Sequence, residues 1–149
     1  MTLVAGPVSL KTHHPAIKRI DVESAGEMYQ AAMTAFPSSD AAILCAAVAD
    51  YRPENASEQK IKRETEGEMT LHLVPNPDIA ASLGAIKREG QVMVGFALET
   101  NDEATHAEGK LKRKNLDFIV LNSLRDQGAG FRCDTNKIKI GRASCRERV

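Results

Sequence analysis

The densest group of charged side chains in this sequence is a basic cluster formed by Lys110, Lys112, Arg113 and Lys114. A run of charges is usually a solvated helix face. Lys110 and Lys114, however, are four residues apart, a spacing that places two side chains on the same face of a helix, where like charges repel each other. An anion between the two ammonium groups removes that repulsion, so the pair predicts a site for a polyanion such as a triphosphate.

A carboxylate and a helix N-terminus form a second set of candidate site residues. Asp50 directly follows an apolar stretch, where its carboxylate could bind a ligand or Mg²⁺, or could simply end a turn. The segment from Pro77 to Ala80 opens a predicted helix. The free N–H groups and the dipole of a helix N-terminus attract an anion or a polar base edge, although ordinary capping explains the same residues.

Three further residues, Lys60, Phe96 and Cys45, have an ordinary structural interpretation, and Phe96 has a functional one as well. Lys60 lies in a polar loop after Asp50, where a run of charges is usually a solvated face. Phe96 lies near the end of an apolar run. Its ring either belongs to the core or packs against a base or a sugar. Cys45 is interpreted as a small apolar core residue, because nothing near it in the sequence activates its thiol.

The elements that position these residues alternate between strands and helices. Apolar runs predict strands at Thr2 to Gly6, Ile17 to Val22, Ala41 to Val48, Met69 to Val74, Gln91 to Leu98 and Phe118 to Leu121. Capping and polarity patterns predict helices from Ser24 to Phe36, from Asn76 to about Lys87, and from Asn101 to Lys114.

This alternation indicates an α/β fold, a Rossmann-like three-layer sandwich with a mostly parallel sheet and helices on both faces. The run from Ala41 to Val48 is expected to be covered on both faces and to deliver Asp50 to the carboxyl edge of the sheet. Ligands of such folds bind at that edge, where Phe96, Glu99 and Asn122 also follow strands.

Composition limits the classes of function. A chain of 149 residues with balanced formal charge suits one domain and gives no reason to expect binding to nucleic acid or to a membrane surface. Three cysteines in no CxxC pattern favour a reducing cytoplasm over a disulfide framework, and the histidines lack partners at zinc-ligand spacing.

Residues 141–149 break with the preceding pattern, since they are basic and aperiodic. They resemble the translation of a sequencing adapter, so we expect a domain over 1–140 followed by a tail that is not native.

Four blocks of sequence together resemble phosphopantothenate–cysteine ligase domains of bifunctional bacterial coenzyme A biosynthesis proteins. The blocks are Ala46 to Pro53, Asn76 to Ile79, Gly95 to Thr100, and Lys110 to Asp117. The resemblance implies a ligase that activates 4'-phosphopantothenate with CTP and Mg²⁺. The amine of L-cysteine then displaces CMP from an acyl-cytidylate intermediate.

The same resemblance assigns roles to individual residues. It implies nucleotide contacts from Leu44, Cys45, Ala46, Asp50, Pro77, Asp78, Ile79, Ala80 and Phe96, and from Lys110 and Lys114 in a mobile lid whose Leu111 and Lys112 depart from the family pattern. Lys60 matches a lysine that contacts phosphate and assists conversion of the intermediate. Asp50 is the candidate Mg²⁺ ligand.

The resemblance also implies features outside the matched blocks. Domains of this kind begin with a strand, a glycine-rich turn and a segment carrying a catalytic asparagine, for which no counterpart is found in this sequence. We therefore expect a domain truncated at both ends, with its sheet incomplete at the N-terminus. A homodimer and a fused upstream flavin-dependent decarboxylase domain are expected on the same basis.

Two other classes of function remain open at this stage. A nicotinamide-dependent Rossmann enzyme is disfavoured because no GxGxxG follows a candidate strand. A module that binds nucleic acid or a protein partner through the basic cluster is disfavoured by balanced charge and few aromatic residues. Binding of NADH rather than CTP would favour the first, and salt-sensitive RNA binding the second.

Overall fold

The computed structural model describes residues 1–57, 59–61, 69–99, 103–123, 135 and 137–143. The strands are β1 Thr2–Ala5, β2 Lys18–Asp21, β3 Ala41–Leu44, β4 Tyr51–Pro53, β5 Leu73–Pro75, β6 Val92–Glu99, β7 Phe118–Ser123 and β8 Ile138–Arg142. The helices are α1 Ala25–Ala35, α2 Ile79–Ile86 and α3 Glu103–Arg113, and a 3-10 turn at Phe36–Ser38 follows α1. No helix within these residues is long and apolar enough to cross a membrane.

The main sheet has four strands in the order β3-β6-β7-β8. The pairs β3–β6 and β6–β7 are parallel, and β8 runs antiparallel to β7. Strands β1 and β2 form a separate parallel pair, and β4 and β5 form a short antiparallel pair. The predicted α/β class with a mostly parallel sheet is confirmed.

The core lies on one face of the four-stranded sheet. Along β6, Met93, Gly95 and Ala97 are buried, whereas Phe96 and Leu98 between and beyond them are exposed. The buried cluster joins this inner face to the three helices, and its members are Phe36, Leu83, Met93, Ala97, Ala107, Leu111, Leu116, Ile119 and Leu121. The second helix layer of the expected sandwich is not among the described residues.

The strand predicted from Ala41 to Val48 is shorter and more exposed than expected. It ends at Leu44, and Ile43 is 68% exposed. The expectation of cover on both faces is wrong for the described residues, because β3 is an edge strand and the helices pack on the opposite face. The strand predicted from Met69 is also short, since it begins at Leu73 and leaves Met69 and Leu71 exposed.

Helix α1 begins at the capping box that the sequence predicts. The Ser24 hydroxyl accepts a hydrogen bond from the Glu27 N–H at 3.2 Å, and the Glu27 carboxylate accepts from the backbone N–H groups of Glu23 and Ser24. These backbone hydrogen bonds, that from Glu23 first, lower the pKa of Glu27. The reciprocal bonds satisfy N–H groups that have no partner inside the helix.

The first residues of the segment excluded from the fold take part in the sheet. Gly141 pairs with Ile119, and Arg142 pairs with Phe118 and places its guanidinium 5.8 Å from the centre of that ring. Strand β8 therefore extends past residue 140. That residues 141–149 are not native stays a prediction. Residues 144–149 lie outside the described part of the chain.

The buried Leu83 side chain of α2 gives a direct test of this core. Leu83 is 1% exposed, so Leu83→Ala should lower the free energy of unfolding by about 2–5 kcal/mol through lost burial and a cavity. Leu71→Ala is the matched control, because Leu71 is 60% exposed and should change stability by less than about 0.5 kcal/mol. Urea denaturation followed by circular dichroism measures both. Equal losses for the two variants would contradict this assignment of the core.

Candidate functional site

A cleft of about 410 Å³ opens where the carboxyl end of β3, the middle of β6 and the N-terminus of α2 meet. It is lined by all of the candidate site residues except Lys60, namely Leu44, Cys45, Ala46, Asp50, Pro77, Asp78, Ile79, Ala80, Phe96, Lys110 and Lys114. The fold therefore brings together residues that are up to 70 positions apart in the sequence. Their individual roles in binding stay predictions.

The floor of the cleft is the carboxyl edge of the parallel pair β3–β6. Leu44, the last residue of β3, pairs with Gly95, so the chain leaves the sheet beside Phe96. Phe96 is 43% exposed, so its ring is available to pack against a flat group. Cys45 is exposed rather than buried, and its assignment to the core is wrong, because the chain turns out of the sheet after Leu44.

Asn76 joins two walls of the cleft. Its backbone N–H donates to the Asp50 carbonyl at 2.7 Å, and its Nδ2 donates to the Ala49 carbonyl at 2.8 Å. Its Oδ1 accepts from Arg52 at 3.1 Å, and the same Arg52 nitrogen donates to the Pro75 carbonyl at 2.9 Å. These bonds fix the segment carrying Asp50 to the segment that leads into α2.

The helix predicted from Asn76 begins at Ile79 instead, so Asn76 is not its N-cap. Asp78 is the N-cap of α2, since its carboxylate accepts a hydrogen bond from the Ala81 N–H at 3.0 Å. The first two helical residues, Ile79 and Ala80, line the cleft. Their backbone N–H groups belong to the first turn, which has no acceptors inside the helix, so this end of α2 can accept an anion or a polar edge.

Asp78 also forms an ion pair with Lys114, one of the two lysines that line the cleft. The Lys114 ammonium lies 3.0 Å from the Asp78 carboxylate, and both side chains are partly exposed. Partial burial acts to raise the pKa of Asp78, but the Ala81 N–H and the Lys114 ammonium together outweigh it and lower the pKa below its ordinary value. Asp78 is therefore held in the charged form that keeps Lys114 at the rim of the cleft.

Only two members of the basic cluster reach the cleft. The Lys114 N–H donates to the Lys110 carbonyl at 3.0 Å, so the helical turn continues one residue past α3 and both side chains share a face, as the spacing predicts. Lys112 is exposed and pairs with Glu108 at 2.8 Å one turn earlier. The cluster thus divides into a pair at the cleft and a solvated remainder.

Among the residues to which the resemblance assigns a nucleotide contact, Lys60 alone does not line the cleft. It is exposed and absent from the lining, and residues 58 and 62–68 around it lie outside the described part of the chain. Asn122 is half-buried within β7 and also does not line the cleft, while the side chain of Glu99 lies outside the described residues.

Asp50 is the candidate ligand for Mg²⁺. Among the residues that the structure describes, no group of three or more His, Cys, Asp or Glu side chains could hold a metal ion. Mg²⁺ in nucleotide-dependent enzymes commonly takes one or two carboxylates and completes its shell with phosphate oxygens and water. Asp50 is exposed and lines the cleft, so its carboxylate can supply one such ligand.

The family follows from a match along nearly the whole sequence. The profile of the DNA/pantothenate metabolism flavoprotein C-terminal domain family matches residues 1–148. The chain belongs to this family. The structure agrees, because the chain superposes on the crystal structure of the C-terminal domain of a coenzyme A biosynthesis bifunctional protein CoaBC with a TM-score of 0.73 and 32% identity, covering 95% of this chain and 59% of that one.

Two curated relatives show the range of names attached to this domain. The chain is 48% identical over 141 residues to the coenzyme A biosynthesis bifunctional protein CoaBC of Vibrio parahaemolyticus. It is 57% identical over 140 residues to a cysteine/cysteine sulfinic acid decarboxylase from an unknown prokaryotic organism. Each match covers 94% of this chain but only 35% and 39% of the respective relative. The chain thus spans well under half the length of these proteins.

A more distant structure shares the fold. The DNA/pantothenate metabolism flavoprotein from Streptococcus pneumoniae superposes with a TM-score of 0.71 at 17% identity, covering 95% of this chain and 73% of that one. At this identity the likeness shows that the backbone arrangement of the family is kept.

Proposed function

We propose that this domain supplies the phosphopantothenate–cysteine ligase activity of a coenzyme A biosynthesis protein and that its cleft binds CTP. One observation carries the proposal. The cleft is lined by two lysines, two aspartates, a helix N-terminus and an exposed aromatic ring. The CoaBC relatives, named for coenzyme A biosynthesis, support the same pathway.

The charges of the cleft suit a nucleoside triphosphate. Lys110 and Lys114 lie on one face of the α3 end and supply two cations to phosphate oxygens. The N-terminus of α2 supplies backbone N–H donors, and Phe96 offers a ring for the base or the ribose. When CTP binds, its phosphate oxygens compete with Asp78 for the Lys114 ammonium.

The proposed reaction has two steps. A carboxylate oxygen of 4'-phosphopantothenate attacks the α-phosphorus of CTP, a new P–O bond forms, and pyrophosphate leaves. The amine of L-cysteine then attacks the acyl carbon, an amide bond forms, CMP leaves, and the amine loses its proton. Bound Mg²⁺ would neutralise phosphate charge during the first step. The lysines stabilise the charge that builds on the leaving groups.

Three further features of the proposal concern the whole protein. We propose that the native chain carries an upstream flavin-dependent decarboxylase domain, that the ligase acts as a homodimer in the cytoplasm, and that a catalytic asparagine comes from residues outside this sequence. The bifunctional names of the relatives and their greater length support the first of these.

The decarboxylase name of one relative suggests a second candidate activity on cysteine or cysteine sulfinate. That name belongs to a protein of which this chain covers 39%. A cleft with two lysines and a helix N-terminus suits a polyanion better than a small amino acid, so the ligase is the preferred proposal. Release of CO₂ from either amino acid by this chain would favour the decarboxylase.

The purified chain should bind CTP and should not complete the ligation. Isothermal titration calorimetry with CTP, and with NADH as the matched control, should show saturable binding of CTP alone. A mixture with CTP, Mg²⁺, phosphopantothenate and cysteine should release little pyrophosphate or CMP, because the expected asparagine is missing. Absence of CTP binding would contradict the proposed function, and robust turnover would contradict the role assigned to the missing residues.

Substitutions of Lys114 and Lys60 should have different kinetic effects in a full-length ligase that contains this domain. Lys114→Ala removes a triphosphate contact, so more CTP should partly restore its rate. Lys60→Ala should still form acyl-cytidylate in a single turnover but pass the acyl group to cysteine slowly, by a factor equivalent to about 2–4 kcal/mol. Rapid-quench detection of the intermediate measures both steps. If Lys60→Ala forms no intermediate at saturating CTP, or transfers it at the unmodified rate, the role of Lys60 is wrong.

A further inference from the structure

The end of α3 is fixed to α2 by a set of polar contacts that we name the α2–α3 joint, formed by Gly84, Lys87, Asn115 and Asp117. Asn115 has a φ of 52°, in the left-handed region that asparagine tolerates better than most residues. Its Nδ2 donates to the Gly84 carbonyl at 2.9 Å, and its own carbonyl accepts from the Lys87 ammonium at 2.9 Å.

The joint is anchored to the sheet as well as to α2. The Lys87 ammonium lies 2.7 Å from an oxygen of Asp117, and the same oxygen accepts the Met93 N–H at 2.7 Å. The Lys87 side chain is only 12% exposed, so this ion pair is shielded from water more than an ordinary surface pair. Helix α2, strand β6 and the turn after α3 are therefore held together at one point.

Close packing reinforces these bonds. A Cβ atom at Gly84 would collide with the carbonyl oxygen of Lys114. The absence of a side chain at Gly84 allows the backbone of Lys114 to lie directly against α2. Lys114 is thus held by its own backbone at the middle of α2 and by its ammonium at Asp78, the N-cap of the same helix.

From this arrangement we propose that Asn115 is a positioning residue for the cation Lys114. Its left-handed turn ends α3 and directs the preceding residue along α2 toward the cleft. The hydrogen bond from its side-chain amide to the Gly84 carbonyl keeps that direction fixed before a nucleotide binds. For nucleotide binding, the inference rests on the proposed function, because Lys114 then contacts the triphosphate. The placement of Lys114 against Asp78 can be tested without any ligand.

The first test measures the Asp78 carboxyl by NMR titration of the purified chain. Lys114 helps to lower the pKa of Asp78, so displacing Lys114 must raise it. Asn115→Ala should shift the pKa of Asp78 upward, to the value measured in Lys114→Ala. Asn55→Ala is the matched control, since Asn55 is exposed and does not line the cleft, and it should leave the pKa unchanged.

The second test is a double-mutant cycle on CTP affinity. Asn115→Ala should raise the dissociation constant for CTP by about three- to tenfold in the unmodified chain and have no further effect in Lys114→Ala. A general loss of structure would instead act equally in both backgrounds. If a thermal melt shows that Asn115→Ala is not folded, Asn115→Gly replaces it. Glycine keeps the left-handed turn but removes the side-chain hydrogen bond to Gly84.

The outcomes separate the two proposals. If the unmodified chain does not bind CTP but Asn115→Ala still raises the pKa of Asp78, the proposed function fails and the positioning of Lys114 stands. If folded Asn115→Ala and Asn115→Gly keep the Asp78 pKa of the unmodified chain, the positioning role is overturned. Equal loss of CTP affinity with and without the Lys114 side chain would overturn it too.

Discussion

The parallel pairing of β3 with β6 is the constraint on which the rest of the site depends. Parallel strands end at the same edge of a sheet, so the segment after Leu44 emerges beside Phe96. The following loop then reaches Asp50, and Asn76 binds that loop to the entrance of α2. A shift of one residue in the pairing would turn the Phe96 side chain to the opposite face and separate these groups.

The electrostatics of the cleft depend on the two lysines Lys110 and Lys114 and on the carboxylate of Asp78. Lys110 and Lys114 repel each other at helical spacing, and Asp78 relieves part of that repulsion for Lys114. The carboxylate is itself stabilised by the Ala81 N–H at the start of α2, so the pair is held together in the unliganded protein. A polyanion would enter a site whose cations are already placed, which lowers the cost of ordering them on binding.

The sequence predicted the type of most elements because their signals are local. The capping box at Ser24 and Glu27 and the apolar run of β6 depend on neighbouring residues, and both are found as predicted. The length of β3 could not be predicted, since an apolar run does not show whether a helix will cover it. The N-cap of α2 is Asp78, two residues after the predicted helix start at Asn76. Both residues are good caps, and only tertiary contacts decide between them.

The site was predictable as a set of residues rather than as a geometry. Spacing alone placed Lys110 and Lys114 on one face, but nothing local could place both in one cleft with Phe96 or pair Lys114 with Asp78. The contacts of Asn76 and of Asn115 were missed for the same reason, since their partners lie 27 and 31 residues away in the chain. An asparagine directly after a predicted helix is a local signal of a left-handed C-terminal turn, and it could have drawn attention to Asn115.

The edge formed by β3, β6 and α2 is the proposed binding site for the triphosphate of CTP. Mapping of backbone amide shifts in the labelled chain during titration with CTP tests this most directly. If CTP binds at this edge, the largest changes should cluster at Cys45, Ile79, Phe96 and Lys114, with little change at Ile140 on β8. Changes confined to β8, or spread evenly over the molecule, would contradict it.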